Sequence, residues 1–445
     1  MDAVLLARIQ FGLVAGFHFL FPPITLGLSF VILILESLFL KKGEEIYQDA
    51  SRFLIKILGA VFVMGVATGI VLEFAFGNNW SEYSRMVGDI FGAPLAAEGV
   101  FSFFLESVFL GILVFGRNRV SKKAYWWSAF LVFFGSHLSG LWIIAANSWM
   151  QTPAGFKIEG GRAILTNFFE AAVNHSTWIR YVHTIVGGWI TGSLLVAAIA
   201  AWFLLKNRHF NTAKLLLKAS LWVFIIGSLL QLGFGHAHSI QVTETQPEKM
   251  AAFEALWETE EGADFTVFGI PDEKAQKTHL AIKIPKFLSF LIHFDFNARV
   301  LGLDAFPEDE RPPVFLPFVS YHLMILLGML FILMSVLGIY LLWRKKIWSA
   351  RWYLRFLLLA FPLPLLANEF GWIAAEVGRQ PWAVYKVLRT ADAASKVVPA
   401  GNILFSIFMF TALYTLIGVV GTSIILKFVK AGPPEPTEAL PEGEE

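Results

Sequence analysis

The chain has no cysteine among its 445 residues. This absence excludes disulfide bonds, iron–sulfur clusters held by the protein's own thiolates, and haem attached through a C-x-x-C-H motif. Charged residues are also scarce, at 16 % of the chain, and the net charge of +1 comes with no basic stripe. A nucleic-acid partner is therefore not expected. Any iron in this protein must be held by histidine, methionine or carboxylate side chains.

Hydrophobic residues make up 56 % of the chain and form long runs. A helix needs about 20 such residues to cross a bilayer. Reading the runs between charged breaks predicts an all-α, polytopic membrane protein with nine transmembrane helices. The predicted spans are residues 9–40, 53–76, 89–115, 124–146, 179–205, 215–234, 317–343, 352–376 and 400–427. The first run contains Pro22-Pro23, so a kink or tilt is expected there.

Loop charge predicts the orientation. The short loops after the first, third, fifth and seventh spans are rich in lysine and arginine, whereas those after the second and fourth hold few. The positive-inside rule then places the N-terminus outside and the C-terminus in the cytoplasm. The loop after the eighth span is basic against this trend. Some of its charges are therefore expected to serve a site.

Four segments follow from this topology. Residues 1–234 carry helices 1–6, and residues 317–430 carry helices 7–9. Residues 235–316 form a long extracytoplasmic loop, with one amphipathic helix predicted from Pro247 to Glu258. Residues 431–445 are acidic and rich in proline, and they are expected to form a disordered cytoplasmic tail.

Two glycine pairs have the spacing that lets membrane helices approach closely. They are Gly65-x-x-x-Gly69 and Gly188-x-x-x-Gly192. This pattern predicts packing and implies no chemistry. No long internal repeat is evident in the chain.

Five potential metal ligands or proton carriers interrupt the apolar runs. His18, His183, Met324 and Glu98 lie about one to two turns into their spans, and Glu376 lies in the last turn of the eighth. With the predicted orientation, all five are expected at a similar depth near the outer face. A carboxylate in a span is costly unless it is paired, protonated or bound to metal, and histidine and methionine can hold haem iron. The shared depth favours redox chemistry at that face.

Taken singly, these residues have structural explanations. A lone histidine such as His137 most often makes a hydrogen bond between helices, and a lone methionine is nearly always packing. Glu98 and Glu106 could each be a protonated structural carboxyl. However, Glu106 lies about 12 Å deeper than Glu98 on the same helix, and carboxylates spaced in this way can relay protons.

Seven stretches of the chain carry a family resemblance. They are RIQFGLVAGFHFLFPPITLG (8–27), GDIFGAPLAAEGVFSFFLES (88–107), ANSWMQTP (146–153), YVHT (181–184), EKMAAFEALWET (248–259), FTVFGIPD (265–272) and GWIAAEVGRQPW (371–382). Together they resemble subunit I, the large haem-bearing subunit, of the cytochrome bd-type quinol oxidases. GRQPW at the end of a span is highly specific in combination with AEG…FFLES, whereas YVHT alone is weak. The resemblance covers essentially the whole chain except the acidic tail.

The resemblance implies an enzyme that oxidises membrane quinol at the outer face and reduces dioxygen to water at a dihaem site, with three haems and no copper. It implies that His183 and Met324 ligate the iron of a low-spin haem b. His18 is assigned to haem d and Glu376 to a high-spin haem b. Protons for water would cross from the cytoplasm while quinol protons leave outside, which generates a proton motive force without a pump.

The resemblance also implies six residues that handle protons, substrate or the edges of the haems. They are Glu98 and Glu106, for the dihaem site and its proton supply; Lys249 and Glu254, for quinol binding in the outer loop; and Arg379 and Trp372, beside the haems. An arginine in that place could neutralise haem propionates.

The resemblance further implies partners and a location. Subunit II of the oxidase would form a heterodimer with this chain, and a small single-span subunit is a further candidate. Ubiquinol or menaquinol and dioxygen would be the substrates. The location would be the cytoplasmic membrane of a bacterium or archaeon.

The chain departs from the family pattern next to Met324. The family often has arginine two residues before this methionine, whereas this chain has His322. A partly protonated histidine is a weaker, pH-dependent substitute for arginine. The outer loop is also short for the family, so fewer contacts are expected over the quinol pocket.

Two other functions stay open from the sequence. A relative with haem b in place of haem d would keep the same ligands. A proton-coupled transporter would fit the buried carboxylates, although such proteins usually show repeated halves with broken helices near the midplane. A haem–copper oxidase is disfavoured, because it needs six histidines that include an adjacent pair, and the ten histidines here contain no adjacent pair.

Overall fold

The computed structural model describes residues 2–434. Within this part of the chain, nine helical segments are long and apolar enough to cross a membrane, which confirms the predicted architecture. The helices are α1 Ala3–Phe19, α2 Phe21–Lys42, α3 Glu45–Asn78, α4 Ser81–Ala97, α5 Phe104–Phe115, α6 Lys122–Gln151, α7 Phe168–Ala172, α8 Thr177–Leu205, α9 Phe210–Thr245, α10 Pro247–Glu254, α11 Phe287–His293, α12 Phe315–Trp343, α13 Arg351–Ala360, α14 Pro362–Val377, α15 Thr390–Ala393 and α16 Ala400–Ala431. A π-helical stretch, Glu98–Phe103, joins α4 to α5. Most of the predicted acidic tail, residues 435–445, lies outside the described residues.

The first crossing is broken, as the proline pair predicted. α1 ends at Phe19, and α2 begins at Phe21 with proline in its first turn, where the missing N–H of proline has no intrahelical partner to lose. α1 begins at Ala3, before the predicted start at residue 9. His18 therefore lies at the far end of α1 and not within its first turns.

Two predicted boundaries in the outer loop change. α9 continues to Thr245, past the predicted end at residue 234, so the first part of the predicted loop is helical. The loop helix α10 starts at Pro247 as predicted but ends at Glu254 instead of residue 258. In the extension of α9, Gln241 is buried and Ser239 hydrogen-bonds the Tyr321 hydroxyl at 3.1 Å. The polar side chains interrupt the apolar run in the sequence, which led to the early predicted end. The helix continues because these side chains pack against other parts of the protein.

The connections carry short antiparallel strands that the sequence analysis did not predict. In the described residues they form four two-stranded sheets. The pairs are β1 Phe156–Glu159 with β2 Arg162–Leu165, β3 Glu260–Glu261 with β6 Arg299–Val300, β4 Phe265–Asp272 with β5 Lys277–Ile284, and β7 Trp382–Val384 with β8 Leu388–Arg389. The β4–β5 hairpin follows α10 in the chain and packs against α12.

The predicted close approach at Gly188 and Gly192 is confirmed, and the partner helix is α2. A Cβ on Gly192 would lie 2.5 Å from the Leu28 amide nitrogen and 2.6 Å from the Gly27 Cα. A Cβ on Gly188 would lie 2.8 Å from Leu26 Cδ1. The backbones of α2 and α8 thus touch at Gly27 and Gly192, and the Leu26 side chain packs on Gly188.

Replacing Gly192 with alanine is expected to destabilise the protein by about 1–3 kcal/mol. The new methyl group would meet backbone atoms, which cannot turn away as a flexible side chain can. The thermal unfolding midpoint of the purified protein in detergent measures the effect. Gly111→Ala in α5 is the control, since a Cβ there meets nothing within 4 Å. Equal midpoints for the two variants would contradict the contact.

Candidate functional site

α14 gives a common reference for the heights of two predicted iron ligands. Met324 of α12 has its Sδ 3.0 Å from the position that a Cβ on Gly371 would take. On α8, Gly187 lies one turn beyond His183, and a Cβ there would be 2.9 Å from Asn368 Oδ1. Asn368 and Gly371 are one turn apart on α14. His183 and Met324 therefore lie at nearly the same height in the bundle, on two helices that both contact α14.

The His183 side chain faces α9. Gln231 Nε2 lies 3.3 Å from each ring nitrogen of His183 and donates to its backbone carbonyl at 3.2 Å. The ring is 3.5 Å from the Cβ position of Gly235 and has the His238 ring as a neighbour, with 5.3 Å between centroids. Gln231 Oε1 and His238 Nε2 are buried without a hydrogen-bond partner among residues 2–434. Gln231, Gly235 and His238 thus line this side of the His183 ring.

His18 lies at the same height but faces α3. Its Nδ1 is 3.0 Å from Thr68 Oγ1, and its Cε1 is 3.1 Å from the Cβ position of Gly69. Two residues earlier, Gly16 faces α14, where Glu369 Oε2 is 3.2 Å from its Cβ position. Glu369 is next to Asn368 in the chain, so His18 belongs to the level of His183 and Met324.

Glu98 reaches this level through α6. Ser139 Oγ donates to Glu98 Oε1 at 2.7 Å. Nearby, the Tyr181 hydroxyl of α8 donates to the His137 carbonyl of α6 at 3.1 Å. On the antiparallel helices α6 and α8, the Cβ position of Gly140, next to Ser139, is 3.0 Å from Ile185 Cδ1, two residues beyond His183, so Glu98 and His183 lie at similar heights.

Glu376 differs from the prediction of a single layer. It is seven residues beyond Glu369 on α14, which is about 10 Å farther along the helix axis. Its Oε1 accepts hydrogen bonds from Asn147 Nδ2 and Gln151 Nε2, each at 3.2 Å. Its Oε2 is paired with the Arg379 guanidinium. The carboxylate therefore lies between the end of α6 and the first residues after α14.

Two further cations join this cluster from α8 and α10. The Arg180 guanidinium donates to Asn147 Oδ1. Lys249 Nζ donates to Gln151 Oε1 at 2.5 Å and to Gln246 Oε1. Burial and the nearby guanidinium of Arg180 lower the pKa of Lys249 well below its usual range. An anion bound in this place would raise that pKa again.

The cluster contains three basic side chains and two carboxylates. Arg180, Lys249 and Arg379 are 6 %, 2 % and 5 % exposed, and they face the carboxylates of Glu376 and Glu248. Buried cations are costly unless anions and hydrogen bonds compensate them. The residues present therefore fit a further anionic group, of which the carboxylates of a haem are one example.

Glu254 lies on another side of α10. Its Oε2 is 3.8 Å from His322 Nε2, and neither atom has a hydrogen-bond partner within the described part of the chain. Burial raises the pKa of Glu254 to about 8, and a hydrogen bond from the Thr266 backbone opposes that shift. His322, the residue that departs from the family pattern, thus directly faces Glu254. Lys249 and Glu254, both predicted for quinol binding, therefore face different neighbours: Lys249 contacts Gln151, and Glu254 contacts His322.

Trp372 and Glu106 complete the predicted residues. Trp372 of α14 packs edge-on against Phe19 of α1, with 5.2 Å between ring centroids, close to His18 in the chain. Glu106 is 6 % exposed, and its Cβ is 3.3 Å from the Cβ position of Gly135 on α6. Glu106 therefore lies between α5 and α6, away from the level of His18, His183 and Met324.

Sequence reasoning missed the polar partners of Glu376. Asn147 and Gln151 lie within the ANSWMQTP motif, which carried the resemblance but gave no role to single residues. Arg180, next to YVHT, was counted with the start of a span. Only contacts between distant helices identify these three residues as neighbours of one carboxylate.

Comparisons with known proteins agree over nearly the whole chain. The family model described as cytochrome bd terminal oxidase subunit I matches residues 6–433. The chain is 39 % identical to cytochrome bd ubiquinol oxidase subunit 1 of Bacillus subtilis (strain 168), covering 97 % of this chain and 94 % of the relative. It is 35 % identical to cytochrome bd-II ubiquinol oxidase subunit 1 of Escherichia coli (strain K12), covering 97 % of each. The solved structure of bd oxidase from Geobacillus thermodenitrificans superposes with a TM-score of 0.90 at 27 % identity, covering 97 % of this chain and 99 % of that one.

Proposed function

Because the chain belongs to the cytochrome bd terminal oxidase subunit I family, we propose that it oxidises membrane quinol near its outer face and reduces dioxygen to water at a dihaem site. Membership of the family confirms the resemblance drawn from the sequence motifs. Membership of this family implies haem cofactors, a quinol substrate, a second subunit and a multi-pass membrane topology. The haem types, the orientation of the termini and the absence of copper and of pumping are parts of the proposal.

His183 and Met324 are proposed as the two axial ligands of a low-spin haem b. The observation that carries this assignment is their common height beside α14, together with glycine next to each side chain, at Gly235 and Gly371. When bound, the haems would carry electrons from quinol and bind dioxygen. The protein's part is to hold each iron and to set the surroundings of its ligands.

His18 and Glu376 are proposed for the haem d and high-spin haem b of the dihaem site, in that order. Arg180 and Arg379 would meet haem propionates, and Trp372 would pack at the edge of the site beside Phe19. A single protein ligand leaves one coordination position of an iron open for a small molecule. A second haem b in place of haem d would use the same residues, and pigment extraction distinguishes the two cases.

Glu106 and Glu98 are proposed to bring protons from the cytoplasmic side to the dihaem site. Glu98 holds a hydrogen bond to Ser139 at the iron-ligand level, and Glu106 is buried farther along the same span. Their spacing suits transfer toward the level of His18. Quinol protons would leave on the opposite side, so electron transfer alone would separate charge.

Quinol is proposed to bind on the Glu254 side of α10. Glu254 and His322 offer the two unpaired polar atoms there. A carboxyl with a pKa of about 8 can exchange protons with a substrate near neutral pH. Lys249 would act from the other side of α10, where it ties this helix to Gln151 of α6.

The raised pKa of Glu254 predicts a pH-dependent stability. The folded protein keeps a proton on Glu254 up to about pH 8, whereas the unfolded chain releases it above the ordinary value of 4.5. The free energy of unfolding should therefore fall as the pH rises through this window, by up to about 1.4 kcal/mol per pH unit. Glu254→Gln should remove this part of the pH dependence, while Glu258→Gln, at an exposed position, should not. Unfolding curves at several pH values measure it, and identical slopes for wild type and Glu254→Gln would contradict it.

The proposed function is tested in vesicles that contain the complex with subunit II. Adding quinol should drive oxygen uptake and release as many protons outside as electrons transferred. A larger proton yield would contradict charge separation without pumping. A complex that moves protons without haem and without oxygen uptake would favour the transporter.

A further inference from the structure

The span from Ser81 to Phe115 changes its winding where the two proton-carrying carboxylates lie. Residues Glu98–Phe103 form a π-helical stretch, and the Phe104 N–H donates to the Gly99 carbonyl. In an uninterrupted α-helix, Glu98 and Glu106 would point about 80° apart. A π turn accommodates one additional residue, which brings the two carboxylates to within about 20° of one face.

Ser102 lies midway between Glu98 and Glu106 on that face. Its side chain is completely buried, and its Oγ has no hydrogen-bond partner among residues 2–434. A serine inside a helix usually bonds the carbonyl four residues earlier. Ser107 does so to Phe103 at 2.7 Å, and Ser128 does so to Ala124 at 2.9 Å. Ser102, in the π-helical stretch, makes no such bond to the described residues.

The facing helix packs against Ser102 and Glu106, which are buried, and hydrogen-bonds Glu98, which is partly exposed. The Cβ position of Gly135 on α6 is 3.4 Å from the Ser102 carbonyl oxygen and 3.3 Å from Glu106 Cβ, so α5 and α6 touch there. One turn farther along α6, Ser139 donates to Glu98. Side chains on a helix lean toward its N-terminus, so the Glu106 carboxyl leans toward Ser102. The Ser102 side chain is therefore buried against α6, at a position along the span between the two carboxyl groups.

We propose that the Ser102 hydroxyl passes protons from Glu106 to Glu98. This inference rests on the proposed role of the two carboxylates in supplying the dihaem site. The oxygen of Ser102 accepts a proton from the Glu106 side and releases its own hydrogen toward Glu98. The hydroxyl is neutral before and after, and no bond to carbon changes. If Ser102 served as a small packing residue instead, alanine would replace it without loss.

The test is the reaction of the fully reduced complex, including subunit II, with dioxygen after reduction by dithionite. This reaction bypasses quinol and isolates proton delivery. Ser102→Ala is expected to slow its proton-coupled phase about five-fold, equivalent to about 1 kcal/mol, and to increase the slowing in heavy water. Ser102→Thr keeps a hydroxyl and should restore the rate. Ser107→Ala and Ser128→Ala, which remove serines bonded to backbone carbonyls, should leave it unchanged.

The remaining outcomes each decide the question. Ser102→Cys has nearly the volume of serine and a weak donor, so it should be slow like alanine even if alanine disturbs packing. Unchanged rates and isotope effects in both Ser102→Ala and Ser102→Cys, with intact haem spectra, would overturn the inference. Glu106→Gln distinguishes the proton route through the carboxylates from the role of Ser102. If Glu106→Gln stops the reaction while the Ser102 variants do not, the proposed function is supported and the role of the Ser102 hydroxyl is wrong. If Glu106→Gln has no effect either, the proposed proton route falls as well.

Discussion

Replacing Met324 with leucine is expected to remove the low-spin haem b band from the reduced-minus-oxidised spectrum and to stop electron transfer from quinol. Leucine has nearly the volume of methionine, so the packing of α12 changes little. It has no lone pair to offer iron, so one of the two proposed axial ligands is lost. Dithionite should still reduce the haems that remain, because it needs no quinol site. The spectra of the purified complex under each reductant measure both effects.

The matched control for Met324 is on the same helix. Met334 of α12 is fully buried, and Met334→Leu should leave all haem bands in place. His183→Ala should reproduce the loss seen in Met324→Leu, since it removes the opposite ligand. A low-spin band that survives both Met324→Leu and His183→Ala would contradict the assignment of this haem.

Replacing Glu376 with alanine is expected to lower stability and to remove the high-spin haem b. The carboxylate accepts two amide hydrogen bonds and pairs with Arg379, and Arg180 and Lys249 are buried nearby. The Glu376 side chain is 33 % exposed whereas the cations around it are buried, so its removal should cost about 1–3 kcal/mol, because the cations lose a compensating charge. Thermal unfolding in detergent and the haem content of the purified protein measure the two effects. Glu244→Ala, at a side chain 60 % exposed, should change stability by less than about 0.5 kcal/mol.

A double variant separates charge from packing at this site. Glu376→Ala with Arg379→Ala removes one buried cation together with its partner. It should therefore be more stable than Glu376→Ala alone, although it would not regain the haem. If the double variant were the less stable of the two, the account of Glu376 as the balancing charge of the cluster would be wrong.

The sequence predicted the membrane architecture because the bilayer imposes it locally. A run of apolar residues marks a span, and Pro22-Pro23 marked the break between α1 and α2. The Gly188 and Gly192 spacing predicted close packing for the same local reason, since a helix without side chains on one face can approach another. None of these features required knowledge of which helices are neighbours, and the identity of the partner, α2, did not follow from them.

Positions along the membrane normal were less predictable. Counting turns from the end of an apolar run placed Glu376 level with His18, yet Glu376 lies about 10 Å along α14 from Glu369, which contacts Gly16 near His18. The count failed because α1 begins at Ala3, six residues before the predicted start, so His18 lies farther into its span than expected. The charged surroundings of Glu376 were also beyond the sequence, since they combine α6, α8, α10 and the residues after α14.

Ser102 and His322 show what a family pattern leaves out. Ser102 was part of a recognised motif, but its place in a π-helical stretch, and its lack of a hydrogen-bond partner among residues 2–434, had no sequence signal. His322 was noted as a departure, and the structure adds that it faces Glu254 at 3.8 Å. In both cases the sequence gives the residue type, whereas the contacts of the side chain are known only from the structure.

The absorption spectrum of the purified complex, reduced minus oxidised and combined with analysis of the extracted pigment, tests the account most directly. The wild-type complex should show two haems b and a red-shifted haem d. The Met324→Leu complex should lack the low-spin haem b band and keep the other two. A folded complex that carries a single haem, or none, would contradict the proposal that side chains of α1, α8, α12 and α14 hold iron.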